Sequence, residues 1–258
     1  MKSKVHFFKS LIPLFLITYV CSDSFDNNFY NNHGSVGLIN IPTARFFDEE
    51  VHGITVYDGT PDQKITLTSN PYDWFEASFF YTNIQGKPYP YFEYQDYKDK
   101  GFNLKVRLKK EGQLPAIAIG LNDFAGTGFY SSEYIVSSYG VKNIDFHFGF
   151  GWGQLNGDDS IKNPLGYISD RFKTRPIDYT GMGGSFNPDQ YFSGTSASSF
   201  YGISYKFKNK LFFNFEKDPI KIDGPQMPYP NKKNNYSFGL VYKVNNNFNI
   251  GLSHERGN

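Results

Sequence analysis

The sequence predicts an all-β protein: an antiparallel up-and-down meander forming an outer-membrane β-barrel, either complete or the leading part of a longer one, with a soluble β-sandwich as the alternative. Three observations lead there. In Asn143 to Leu155, NIDFHFGFGWGQL, alternate residues Ile144, Phe146, Phe148, Phe150 and Trp152 share one face of an extended strand, and Asp145, His147, Gly149, Gly151 and Gly153 share the other, because side chains along a strand alternate with period two. A greasy face opposed by a small or polar one is what a barrel strand needs between lipid and lumen. The chain is also 19% aromatic, with 27 Phe and 20 Tyr in 258 residues, yet its mean hydropathy is negative. Apolar character is therefore spread over alternate positions, which excludes a helical membrane protein. Finally, turn chemistry punctuates the chain at short intervals and no helical period develops.

The elements follow in order. Residues 1–22 read as a secretory signal peptide: Lys2, Lys4 and Lys9 precede the apolar run Leu11 to Val20, which is too short for a membrane span. The single cysteine, Cys21, follows that run. It is either discarded on cleavage after Ser22 or is the lipidated first residue of a lipoprotein, although Thr18-Tyr19-Val20 fits a lipoprotein signal poorly. With one cysteine the domain takes its stability from sheet and burial rather than from a disulfide. Residues 23–52 read as a flexible lead-in, Asn- and Asp-rich up to His33, with Arg45 a buried anchor ahead of the first strand.

Residues 53–258 form the β domain. Its candidate strands are Gly53–Tyr57, Gln63–Ser69, Trp74–Asn83, Phe102–Lys109, Pro115–Asn122, Tyr134–Val141, Ile144–Gln154, Ser199–Lys206, Leu211–Glu216, Tyr236–Tyr242 and Phe248–His254. Tight connectors such as Lys142-Asn143 and Asn245-Asn246-Asn247 imply antiparallel hairpins. Two connectors are long, Ile84 to Gly101 and Asn156 to Ala197, as expected of outer loops opposite short periplasmic turns. An odd count of eleven candidates departs from the even number of bacterial single-chain barrels.

Several segments carry a family resemblance. GLINIPTAR (Gly37 to Arg45), LNDFAGTGFYSSEYIVSS (Leu121 to Ser138), FGWGQL (Phe150 to Leu155) and HERGN (His254 to Asn258) resemble the YjbH family of Gram-negative exopolysaccharide and capsule biosynthesis proteins. Phe129 stands where a small aliphatic residue is more usual. The resemblance implies an outer-membrane barrel in polysaccharide secretion, a lipoprotein signal in some members, and a chain corresponding to the first part of a longer protein. The implied partners are outer-membrane lipid, polysaccharide and other exopolysaccharide secretion proteins. No catalytic residue carries over.

Among the residues themselves no enzyme motif appears, and neither a phosphate loop nor a nucleophile elbow is present. The expectation is a non-enzymatic protein without a cofactor or metal, since His33, His52, His147 and His254 are scattered; the alternatives are a soluble periplasmic polysaccharide-binding β-sandwich and a carbohydrate-active enzyme. A net charge of +1 gives no case for nucleic acid. The row Lys105, Arg107 and Lys109 faces the lumen by alternation, where charge biases what passes. Two readings compete: the row guides an anionic glycan, or it pairs with Asp145, Glu76 and Glu216 on neighbouring strands. Tyr89, Tyr91 and Tyr94 lie in a Tyr- and Pro-rich stretch that suits stacking on sugar rings, an interfacial belt, or packing on itself. Gly126 and Gly128 mark a tight turn.

Overall fold

The computed structural model describes residues 28–59, 62–89, 92–126, 128–157, 159–176, 188–220 and 234–257. The expected signal peptide and Cys21 lie outside them. The strands are β1 (Val51–Asp58), β2 (Asp62–Tyr72), β3 (Phe75–Tyr89), β4 (Phe92–Lys109), β5 (Ala116–Asn122), β6 (Ser132–Val141), β7 (Ile144–Gly153), β8 (Ser160–Lys162), β9 (Ser196–Phe207), β10 (Leu211–Lys217), β11 (Tyr236–Lys243) and β12 (Asn249–Glu255). They join in one antiparallel sheet of 12 strands, ordered β1 to β7 and then β9 to β12, with β8 paired to β9 off that path. The register follows the turns. Lys142 has positive φ in the β6–β7 turn, as do Lys208 and Asn209 between β9 and β10, the twist that suits a tight hairpin. The connections β2–β3, β4–β5, β6–β7, β9–β10 and β11–β12, all short, fall at one end of the sheet, and the tight β1–β2 turn lies at the other. The opposite end carries the extended β3–β4 hairpin, the Asp123–Ser131 loop, and the connections β7–β9 and β10–β11.

Burial inverts the order of a water-soluble sheet. The facing pairs Ile54–Leu67, Leu67–Phe79, Phe79–Phe102 and Phe146–Ile203 continue from strand to strand, forming an exposed apolar band. Ile54 is 70% exposed and Val56 74%, whereas inward-facing Glu76 and Lys105 are 1% exposed and Glu216 is 0%. Isolated buried charges are costly, so something on the inner face must satisfy them. It is the segment preceding β1. Phe29, Val36, Leu38, Ile39, Ile41, Ala44 and Phe46 are all buried, and bridges Tyr30–Val36 and Gly37–Pro42 fold the segment on itself. The sheet rolls around this plug until its edges face each other across a cleft of about 1110 Å³ lined by β1 and β12. There the hydroxyl of Tyr57 donates to Glu255 at 3.2 Å, but β1 and β12 share no strand pairing among the described residues. The sheet is therefore not closed.

Three expectations need correction. Residues 28–46 are a buried plug rather than a flexible lead-in: their polar side chains hydrogen-bond inward, and their apolar residues fill the interior. Ile84 to Gly101 is not a loop, because β3 and β4 run through it as a hairpin. Its register shifts around Pro88 and Gly86 has a φ of +74°, so the residues that signalled a loop mark a bulged hairpin instead. The connector Asn156 to Ala197 includes β8 and short 3-10 turns at Pro164–Tyr167, Asp170–Lys173 and Pro188–Gln190.

Candidate functional site

The most developed site is the inner wall where the sheet grips the plug. Glu76 and Lys105 face each other across β3 and β4, and their ion pair at 3.2 Å grips both backbone polar groups of Val36. The Val36 N–H donates to Glu76 Oε1 at 3.1 Å, while Lys105 Nζ donates to the Val36 carbonyl at 3.0 Å and to that of Arg45 at 3.0 Å. On the opposite wall the Glu216 carboxylate of β10 accepts the N–H groups of Ile39 (3.0 Å), Asn40 (2.8 Å) and Ile41 (3.3 Å). These are backbone donors of a turn that has no strand partner for them, and a buried carboxylate is the strong acceptor they need. Glu255 takes the side-chain amides of Asn32 and Asn40, each at 2.9 Å.

The end of the plug is held by Arg45. Its guanidinium forms a fork on Asp145 of β7, at 2.8 and 2.6 Å, and a second ion pair with Glu111. The Ala44 N–H donates to Ser138 Oγ at 2.8 Å, and that oxygen also lies 2.8 Å from His147 Nδ1. Ser138, His147 and Asp145 thus adjoin, but Asp145 Oδ2 lies 3.5 Å from His147 Nε2 and makes no hydrogen bond to it, where a nucleophilic triad requires one. The serine also sits 1% exposed beneath the plug, and its oxygen is engaged by a backbone donor. Glycines supply room: a Cβ on Gly202 would lie 2.4 Å from Leu38 Cδ1, and one on Gly239 2.8 Å from Ile39 Cγ1.

A second cluster shapes the long-loop end. Asp123, following β5, accepts the Tyr130 N–H at 3.0 Å, so the loop carrying Gly126 and Gly128 wraps around it. A Cβ on Gly126 would lie 1.8 Å from Asp123 Oδ1, which is why glycine is needed there. Burial, then the neighbouring Asp99, pushes the Asp123 carboxyl up to about 7. Beside it Tyr130 donates to Asp62 at 2.8 Å, and Lys64 lies 3.1 Å from His33 Nδ1. Burial, then the charges of Lys64 and Arg256, hold His33 well below its ordinary value; the ring is neutral and accepts from the ammonium. Fully buried Glu133 receives the Arg175 fork at 2.7 and 2.8 Å and the Phe192 N–H at 2.9 Å, tying the β7–β9 connection down.

The predicted site residues disperse. Lys105 is committed to Glu76 and the plug. Arg107, half-buried, lies 3.3 Å from Asp73 and over the Phe46 ring, and Lys109 is only half-buried. Of the partners expected for this row, only Glu76 meets it; Asp145 and Glu216 serve the plug directly. Tyr89 ends β3, Tyr91 lies outside the described residues, and Tyr94 on β4 is fully exposed. Sequence reasoning missed the plug contacts of Ser138, Glu216 and Glu255. Their signal was a carboxylate or hydroxyl on the non-apolar face of a strand. Among the described residues no group of three or more His, Cys, Asp or Glu could hold a metal ion, and no helix is long and apolar enough to cross a membrane.

Fold and site together define an all-β protein whose rolled antiparallel sheet holds its own leading segment with buried carboxylates. The chain belongs to the YjbH family: the family described as exopolysaccharide biosynthesis protein YbjH matches residues 29–258. It is 33% identical over 242 residues to a protein of Escherichia coli (strain K12) named as an uncharacterized lipoprotein YjbH, covering 88% of this chain and 33% of that one. The chain thus spans about a third of the length of this relative. No solved structure matches. The family segments fall where the structure is most constrained. Gly37 to Arg45 is the plug, Leu121 to Ser138 forms the Asp123 loop and β6, Phe150 to Leu155 ends β7, and His254 to Gly257 closes β12.

Proposed function

We propose that this chain is a non-enzymatic outer-membrane β-barrel component of exopolysaccharide or capsule export, plugged by its own residues 28–46. The observation that carries the reading is the inversion of burial: large apolar side chains stand outward around the sheet while Glu76, Lys105, Asp145 and Glu216 are buried inside. Hydrocarbon favours that arrangement and water opposes it, since an exposed apolar band of this extent promotes aggregation in solution. The alternation of tight turns and long loops fits a periplasmic and an outer end. The plug argues against a glycan running past the Lys105 row, because Lys105 is spent on Val36, Arg45 and Glu76. Polysaccharide and partner proteins then meet the loops at the long-loop end, where Tyr94, Tyr167 and Ile168 are exposed. Support for a non-enzymatic role is the burial of Ser138 under Ala44.

The two tryptophans provide the test, since Trp74 is 47% exposed at the tight-turn end and Trp152 is 1% exposed inside. In bilayers of brominated lipid the fluorescence of a Trp152→Phe variant, reporting Trp74, is quenched, and that of a Trp74→Phe variant is not. Equal quenching of both, or a protein that stays monodisperse in buffer without detergent, refutes the membrane reading. Deletion should abolish secreted polymer, and purified protein should leave that polymer uncleaved.

A further inference from the structure

We infer that the cleft between β1 and β12 receives one further β-strand, antiparallel to both edges, from the part of the family polypeptide that this chain does not span. The inference rests on the membrane reading in one respect: an edge facing lipid must have its N–H and C=O groups satisfied.

Strand direction decides what fits. Along β1 to β7 and β9 to β12 every neighbour is antiparallel, so each step reverses direction and β1 and β12 run the same way. Direct closure would make a parallel pair in an otherwise antiparallel sheet. One inserted strand restores alternation at both seams and makes the count around the wall even, as bacterial barrels have it. A second copy of the chain does not serve. In the same membrane orientation its β1 would again lie parallel to β12. Pairing β1 with β1, or β12 with β12, would put the tight turns of one copy on the same side as the long loops of the other.

The cleft states the chemistry of its occupant. Its outer rims are apolar, with Ile54 and Val56 on β1 and Ile250 and Leu252 on β12 all exposed. Its floor sets the polar groups of Tyr30, Asn32, Tyr57 and Glu255 beside apolar Leu38, Ile39 and Phe47. The fitting strand therefore alternates apolar residues outward with small or polar residues inward. It matches edges of 8 and 7 residues. The Tyr57–Glu255 hydrogen bond crosses beneath it from inside, so the cleft is spanned by side chains rather than by backbone. Polypeptide to supply the strand exists in the family, since this chain covers 33% of the E. coli relative.

The test compares the protein extracted from its native envelope with the 258-residue chain refolded alone, both in the same detergent, by hydrogen exchange. In the envelope-derived protein the β1 and β12 amides exchange as slowly as those of β2 and β11; in the refolded chain they exchange about 100-fold faster, as unpaired edges do. Fast exchange at both edges of the envelope-derived protein overturns the inference. A Thr55→Cys, Ser253→Cys pair supplies the second readout. An intervening strand sets the edges roughly 9.5 Å apart, beyond the roughly 7 Å a disulfide tolerates, so no disulfide forms in the envelope-derived protein. Ready formation there means direct closure and overturns the inference. Tryptophan quenching reads the membrane location independently, so the two ideas fail separately.

Discussion

The grip of Glu216 on the plug makes the sharpest prediction. Glu216→Ala removes the acceptor of the Ile39, Asn40 and Ile41 N–H groups from a position with no solvent to replace it. The Ile41 bond is long at 3.3 Å and shares Oε2 with Ile39, so two bonds dominate. At about 1.5–3 kcal/mol each for a charged acceptor, they amount to roughly 3–6 kcal/mol. Relief from burying the carboxylate offsets part of that, leaving a net local loss of about 2–4 kcal/mol. Hydrogen exchange of the peptide Val36–Ala44 should then accelerate about 30- to 700-fold, at 1.4 kcal/mol per factor of ten. Exchange in β5 and β6 should stay unchanged, because those strands hold the plug through other residues. A change below about threefold in the plug, or an equal rise throughout the sheet, would refute the view of Glu216 as a local holder.

Other perturbations follow from the same geometry. Gly202→Val should expel Leu38 and Ile41, given the 2.4 Å approach of a Cβ to Leu38, and expose the plug to protease; Gly251→Ala, whose nearest neighbour would lie at 3.8 Å, should leave it protected. For Asp123 the folded pKa of about 7 lies above the unfolded 3.8, so the native state binds the extra proton between those values. Its contribution is therefore full below about pH 4 and is lost as pH rises to about 7. Exchange at Phe129–Ser131 should accelerate over that range, and Asp123→Asn should flatten the profile; an unchanged profile counts against the assignment. Glu133→Gln should loosen the β7–β9 connection by about 3 kcal/mol, the scale for breaking a buried pair, giving faster proteolytic nicking within residues 159–176 while the strands stay intact.

Much of the sheet could be read from alternation alone. Each strand on the main path overlaps a predicted stretch, because outward-facing and inward-facing positions differ so strongly in residue type: Phe146 and Phe148 out, Asp145 and His147 in. The β3–β4 hairpin escaped because beyond Phe80 that contrast fades, and Gly86 and Pro88 look like loop residues. The plug was missed for another reason. Asn28 to Phe46 has no period, since its side chains answer to a sheet wrapped around it rather than to a repeating backbone. Its contacts are nonlocal, joining Asn40 to Glu216 and Ala44 to Ser138. No local pattern announces a bond between residues so far apart. Arg45 stood out only as a charge after Pro42-Thr43-Ala44, and its burial as an anchor is met by Asp145 and Glu111.

These contacts bear on the proposed export role. A basic row lining an open passage would have to keep its charges free for the glycan. Lys105 instead donates to two backbone carbonyls and to Glu76 at 1% exposure, and desolvating it again for each passing sugar would cost more than an anionic glycan returns. Reversing it to Glu would set two carboxylates against each other beside Val36, and the first casualty would be plug retention. The row therefore cannot be tested as a polymer guide by charge reversal alone, since loss of export would report the plug. Arg107→Gln is cleaner: Arg107 is half-buried, and its partner Asp73 lies in the tight turn. If export survives that change while Tyr167 of the β7–β9 connection and Tyr94 of the β3–β4 hairpin prove necessary, recognition belongs to the long-loop end and the interior serves only to hold the fold.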